Sequence, residues 1–224
     1  YKERGIHWLD GFFTRYAADE EKYVVKIPRE LEDVAVLVEP LSIAEKAMET
    51  ITHIQSRLKW GCVHYRHGYD KEQWGSCKRA VVFGAGAIGF SLAALLRLSS
   101  VDTCVVEIVD RGSLKGRLIE SIGAKYVDGR KENGRQLAEK YGPFHIMVDA
   151  SGSSELALNM IPHMSRNSIS VLVGVPRGEH LIHMDSTPLM RQLVRFNQVV
   201  VGVLNSNRTH FEKALEDMGH IQMR

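Results

Sequence analysis

The chain has 224 residues, 44% of them hydrophobic and 25% charged, with a formal net charge of +2, a balance that suits one or two ordinary globular cores. No basic stripe interleaved with aromatics argues for a nucleic-acid groove, and nothing in the charge asks for an acidic partner. No apolar run reaches about 18 residues and no charged-then-apolar leader is visible, so no membrane partner is expected and a cytoplasmic address is.

Residues 1 to 40 alternate short apolar and polar groups, as in GFFTRY and KYVVKIP, with Pro28 and Pro40 as punctuation; this predicts strands of a small β-rich domain. The opening at Tyr1 reads like the middle of something, so a piece of a longer chain is expected. From Leu41 the pattern changes, and Ile43, Ala44, Ala47, Met48, Ile51, Ile54 and Leu58 recur at three- and four-residue steps, the mark of an amphipathic connecting helix. His53 on that helix reads as interfacial rather than catalytic. Residues 61 to 78, GCVHYRHGYDKEQWGSCK, lack a period and predict a surface loop. Within it Cys62, His64 and His67 have metal-ligand chemistry, but an exposed polar loop is the plainer reading. The three cysteines, Cys62, Cys77 and Cys104, suit neither a disulfide framework nor a Cys-x-x-Cys knuckle and read as reduced.

Beyond the loop, apolar runs alternate with helical patterns: RAVVFG, GFSLAALLRL, TCVVEIV, LKGRLIESIGA, FHIMVDA, ELALNMIPHM, SISVLVGV and QVVVGVL. Short Val- and Ile-rich runs separated by helices predict strands buried on both faces. The fold class is therefore α/β, a doubly wound Rossmann-type parallel sheet with part of a β-rich domain ahead of it.

The first strand enters its helix through Gly84-Ala85-Gly86-Ala87-Ile88-Gly89. In a G-x-G-x-x-G turn the first glycine permits the tight bend, the second lets a pyrophosphate approach the backbone, and the third allows close helix packing. The helix N-terminus then faces the phosphates. An acidic residue about 20 positions on normally binds the adenine-ribose hydroxyls, and both Glu107 and Asp110 fall in that range, so spacing does not choose between them. Either carboxylate would repel a 2′-phosphate, and Arg111 is the only cation close by in sequence, which favours NAD over NADP. His180 and His183 flank two residues in a strand-like stretch and point to opposite faces, so they are poor co-ligands. Ser151, in DASG, lacks the G-x-S-x-G pattern of a nucleophile.

Further strings narrow the chemistry: ERGIH at 3 to 7, DGFFTRY at 10 to 16, EPLS at 39 to 42, DASG at 149 to 152, LVGVP at 172 to 176 and VGVLNSNRTHF at 201 to 211. In this order they resemble the zinc-dependent medium-chain alcohol and polyol dehydrogenases, most closely the archaeal-type glucose (aldose) dehydrogenases. The likeness covers nearly the whole chain. It implies a GroES-like catalytic domain contributing residues 1–45, a connecting helix and loop at 46–78, a Rossmann domain at 79–205 and a return segment at 206–224. By resemblance Glu39 sits at the catalytic zinc, as a ligand or through the zinc's water, and also contacts the sugar. Glu3 and Asn205 match sugar-contacting residues, and Val173, Gly174, Val175, Val203, Leu204 and Asn205 line the nicotinamide. The remaining zinc ligands are expected upstream of Tyr1.

Two departures stand out. Ile108 and Val109 occupy positions where NADP-using members carry arginines, and Arg195 stands where a histidine is frequent. The implied activity is an NAD(P)-dependent glucose or aldose 1-dehydrogenase, with zinc assisting hydride transfer from the sugar C1 hydroxyl to nicotinamide. Family likeness further implies a homo-oligomer, dimer or tetramer. The alternative reading is a non-catalytic dinucleotide-binding module or degenerate paralogue.

Overall fold

A computed structural model describes residues 3–58, 74–178 and 181–222. Six strands form one all-parallel sheet: β3 (Arg79–Phe83), β4 (Asp102–Glu107), β5 (Lys125–Asp128), β6 (Ile146–Asp149), β7 (Ile169–Leu172) and β8 (Val199–Gly202), in the order β5-β4-β3-β6-β7-β8. The order reverses between β3 and β6, which opens a crevice at their C-terminal ends, the usual ligand position in such sheets.

Strand alternation sends neighbouring residues to opposite layers. Ala80, Val82, Val105, Ile146, Val148, Ile169 and Val171 face a core completed by α1 (Val38–Ser56), α2 (Ala87–Leu98), α3 (Leu114–Ser121) and α7 (Arg208–Gln222). Val81, Phe83, Cys104, Val106, Val127 and Met147 face the other core, closed by α4 (Gly134–Tyr141) and α5 (Ser154–Met160), with α6 (Ser186–Arg195) packed against its margin. Each fully buried Val, Ile or Leu contributes about 1.5–3 kcal/mol, so both faces of β3 and β6 anchor the crevice. Burial pushes the Cys104 thiol up to about 11, which leaves it protonated and inert.

The helix expected from Leu41 begins at Val38, after a 3-10 run over Arg29–Leu37, so the boundary set at residue 45 falls inside α1. The return segment joins the same layers, because α7 buries Ala214 and Met218 against α1 and the sheet. Cys62, His64, His67 and most of the loop expected at 61–78 lie outside the described residues.

Residues 1 to 40 depart most from their pattern. Among the described residues of this stretch only β1 (Glu3–Arg4) and β2 (Trp8–Leu9) form, two residues each, and they pair in parallel. KYVVKIP carries a 3-10 turn at Glu21–Tyr23 and no strand. Alternation makes a strand only where a neighbour supplies the ladder and a core covers one face. Here Phe12, Phe13, Tyr16 and Tyr23 are exposed, and the segment is held by polar contacts such as Arg4 Nε to Asp19 at 2.6 Å.

Candidate functional site: the crevice between β3 and β6

The bend after β3 is shaped by two glycines that nothing else replaces. Gly84 has φ +87°, in the left-handed region that favours glycine, and a Cβ on Gly89 would stand 2.1 Å from the Gly84 carbonyl oxygen. Gly86 is different. Its φ of −72° suits any residue, it is exposed, and a Cβ there would meet nothing within 4 Å. No intramolecular packing therefore requires glycine at this position.

Gly86 is also the N-cap of α2 and provides no side-chain cap, whereas α3 to α6 are capped by Ser113, Asn133, Ser153 and Asp185. The first turn of α2 has no acidic residue. Its N–H groups and the positive end of its dipole are open at the crevice, an arrangement that attracts anions.

Between the two candidate acids the structure separates clearly. Glu107, at the end of β4, is buried, and its Oε2 accepts from the Ala85 N–H at 2.8 Å while Oε1 accepts from the Ile108 N–H at 2.8 Å. Burial pushes its carboxyl up, but the two N–H donors and Lys115, 3.5 Å away, outweigh that and hold it below the usual carboxylate range. Glu107 therefore stays ionised beside the glycine turn. Asp110 is exposed and turns to Arg130, 2.7 Å away, which also bonds Asp128. The expectation that Arg111 is the only nearby cation is thereby corrected: Arg111 pairs with Glu120, and Lys115 and Arg130 stand closer to the acids. Arg130 reaches Asp110 because β5 pairs with β4, a neighbourhood that local sequence does not show.

On the β6 side, buried Asp149 accepts from the Ser151 N–H at 3.0 Å and from its Oγ at 2.6 Å, and Ser151 Oγ in turn accepts from the Ser153 N–H. This chain of bonds holds the DASG turn, so Ser151 shapes the rim. Gly174 passes so close behind that a Cβ would lie 2.3 Å from the Gly152 nitrogen. Together these loops edge a cavity of about 1530 Å³ lined by Ser151, Gly174, Val175, Arg177 and His183 among others. Val173 is buried beneath it and Val175 is exposed. His180 lies outside the described residues.

The third wall is the loop after β8. Val203 is buried, Leu204 is exposed, and Asn205 adopts φ +61°, a conformation asparagine tolerates better than most residues. This loop is bound to α1. Ser206 Oγ lies 2.8 Å from Ser42 Oγ, and Lys46 Nζ donates to the Leu204 carbonyl at 2.7 Å. Glu39, exposed in the first turn of α1, gives its carbonyl to Ser42 Oγ at 2.6 Å, so Glu39 and Asn205 belong to one bonded unit. Glu3 lies on the separate two-stranded sheet. The histidine that joins elements here is His210, whose Nε2 is 2.9 Å from Glu49 Oε2, while His53 is exposed on α1. Among the described residues, no group of three or more His, Cys, Asp or Glu could hold a metal ion, and no helix is long and apolar enough to cross a membrane.

Known proteins resemble this chain over nearly its whole length. The glucose dehydrogenase C-terminus family matches residues 32–224. Glucose 1-dehydrogenase of Methanocella arvoryzae is 35% identical over 225 residues, covering 100% of this chain and 58% of that protein. Glucose 1-dehydrogenase 2 of Vulcanisaeta moutnovskia is 34% identical over 220 residues, covering 97% of this chain and 57% of that protein. Among solved structures, Haloferax mediterranei glucose dehydrogenase in complex with NADP, zinc and gluconolactone superposes with a TM-score of 0.85 at 27% identity, over 98% of this chain and 58% of that one. The chain thus spans less than two thirds of the length of these relatives.

Proposed function

This chain belongs to the glucose dehydrogenase C-terminus family, and from that premise we propose that it is the dinucleotide-binding portion of an NAD(P)-dependent glucose (aldose) 1-dehydrogenase. The observation that carries this reading is the open N-terminus of α2 at Gly86, where a glycine unexplained by packing stands beside the ionised Glu107. A pyrophosphate would take the N–H groups of the first turn, and the missing Cβ would allow its approach. Glu107, held by the Ala85 N–H, would accept from the adenine-ribose hydroxyls. Its charge opposes a 2′-phosphate, which favours NAD, although the Haloferax relative is described with NADP.

Gly174 and Val175 on one side and Val203, Leu204 and Asn205 on the other would line the nicotinamide. Glu39 and Asn205 would contact sugar hydroxyls, the amide both donating and accepting; Glu3 is assigned the same role by family likeness alone. Bound dinucleotide would supply the hydride acceptor for oxidation of the sugar at C1, with the glycine turn and the loops after β7 and β8 holding it. Zinc is a different matter. Among the described residues Glu39 offers one carboxylate and no ligand cluster accompanies it, so these residues do not by themselves form a zinc site. Assembly into dimers or tetramers through the exposed β8 edge, and a cytoplasmic address, belong to the same proposal.

A second reading is a dinucleotide-binding module without chemistry. The experiment that separates the two uses protein made from the complete gene, with its intact mass and zinc content measured before glucose is added with NAD or NADP. Absorbance of reduced cofactor that disappears with a chelator supports the dehydrogenase. Binding of NAD without zinc and without reduction would support the module.

A further inference from the structure

Three polar side chains recur on one face of α1 at successive turns, Ser42, Lys46 and Glu49, and each meets the segment that follows β8. Ser42 spends its single hydroxyl hydrogen on the Glu39 carbonyl, so in the 2.8 Å contact with Ser206 the Ser206 hydroxyl donates. Lys46 donates to the Leu204 carbonyl at 2.7 Å. His210 Nδ1 accepts from the Asn207 N–H at 3.1 Å, which leaves the proton of a neutral ring on Nε2, facing Glu49. Asn205 therefore lies between two residues pinned to α1, and its own φ is +61°. The Leu204 side chain is exposed and provides no burial to hold the turn. The Lys46 ammonium holds the carbonyl of the Leu204–Asn205 peptide, as a charged donor to a neutral carbonyl and hence more strongly than a neutral pair would.

We propose that Lys46 is a positioning residue for the nicotinamide end of the crevice: by holding the Leu204 carbonyl it fixes Asn205 relative to Glu39. The proposal rests on the dinucleotide reading above. It assigns the α1 face a task beyond packing, since a residue far from Asn205 in sequence sets the geometry of the loop that would meet the nicotinamide and the sugar.

The test compares two probes on the full chain by calorimetric titration. NAD carries the nicotinamide, whereas ADP-ribose keeps the pyrophosphate and adenine ribose and lacks it. Lys46→Met is expected to weaken NAD binding about tenfold and leave ADP-ribose affinity unchanged, with a melting temperature close to wild type, and Lys46→Arg is expected to restore most of the loss. Ser206→Ala, which removes the other pin, gives a selective loss of the same sign. Equal weakening of both probes, no weakening of either, or a Lys46→Met protein that melts far below wild type would each overturn the positioning role. Wild-type protein that binds neither probe would sink the dinucleotide reading itself, and this inference with it.

Discussion

The two walls of the crevice are built in opposite ways. In the β3–α2 turn the glycine determinants lie within a few residues: Gly84 bends, Gly89 admits the carbonyl of Gly84, and Gly86 opens the helix end. The loop after β8 has no such local code. Leu204, Asn205 and Ser206 take their places from Lys46 and Ser42, which stand about 160 residues earlier in the chain. A site made from contiguous residues is tolerant of what surrounds it. A site made by cross-chain bonds is only as precise as the helix that carries the donors.

The sharpest way to break the local wall is Gly89→Ala, which places a Cβ against a backbone oxygen. The expected cost is about 3 kcal/mol, read as a melting temperature lower by roughly 10 °C. An unchanged melting curve would show that the turn relaxes freely. Gly86→Val, three residues away, should leave the melting temperature within about 2 °C, because its backbone suits valine and the space is open. NAD affinity should nevertheless fall about a hundredfold or more, since the side chain fills the path of the pyrophosphate. Glu107→Gln removes the charge and keeps an acceptor for one of the two backbone N–H donors. With a like charge at about 5 Å and an effective dielectric near 20 costing about 3 kcal/mol, the ratio of NADP to NAD affinity should rise at least tenfold, whereas an unmoved ratio would remove Glu107 from cofactor choice.

The cross-chain wall depends on α7 seating against α1, and one carboxyl makes that seat sensitive to pH. Burial, together with the neighbouring Asp217 carboxylate, pushes Glu45 up from an ordinary 4.5 to about 8. A folded-state value above the unfolded one means that the folded form binds the extra proton. Stability from this group is therefore full below about pH 4.5, declines as pH rises through the interval, and is lost above about 8. Glu45→Gln should flatten the fall in melting temperature between pH 5 and 8, and parallel profiles for variant and wild type would show that the pair does not titrate on folding.

Much of the sheet was legible, because Val- and Ile-rich runs bounded by helical patterns have few other uses. The glycine turn was legible for the same reason, its geometry being local. The opening segment shows where that logic fails: GFFTRY and KYVVKIP alternate as strands do, yet no strand of the sheet pairs with them and their aromatics are exposed. Periodicity specifies which face a residue would take, and only a partner decides whether there is a face. Spacing likewise placed Glu107 and Asp110 equally well. The Ala85 N–H, brought beside β4 by the pairing of β3 with β4, separates them.

The sequence by itself determined the α/β class, the alternation of strands and helices, the position of the glycine turn and the short list of acids near it, since periodicity, turn chemistry and glycine sterics act over a few residues. Tertiary structure alone decided which acid meets the turn, that Arg130 rather than Arg111 accompanies Asp110, that His210 rather than His53 joins α1 to α7, and how Asn205 is tied to Glu39. Those are contacts between elements distant along the chain, and hydrogen bonds and charges act through space over distances that no local pattern records.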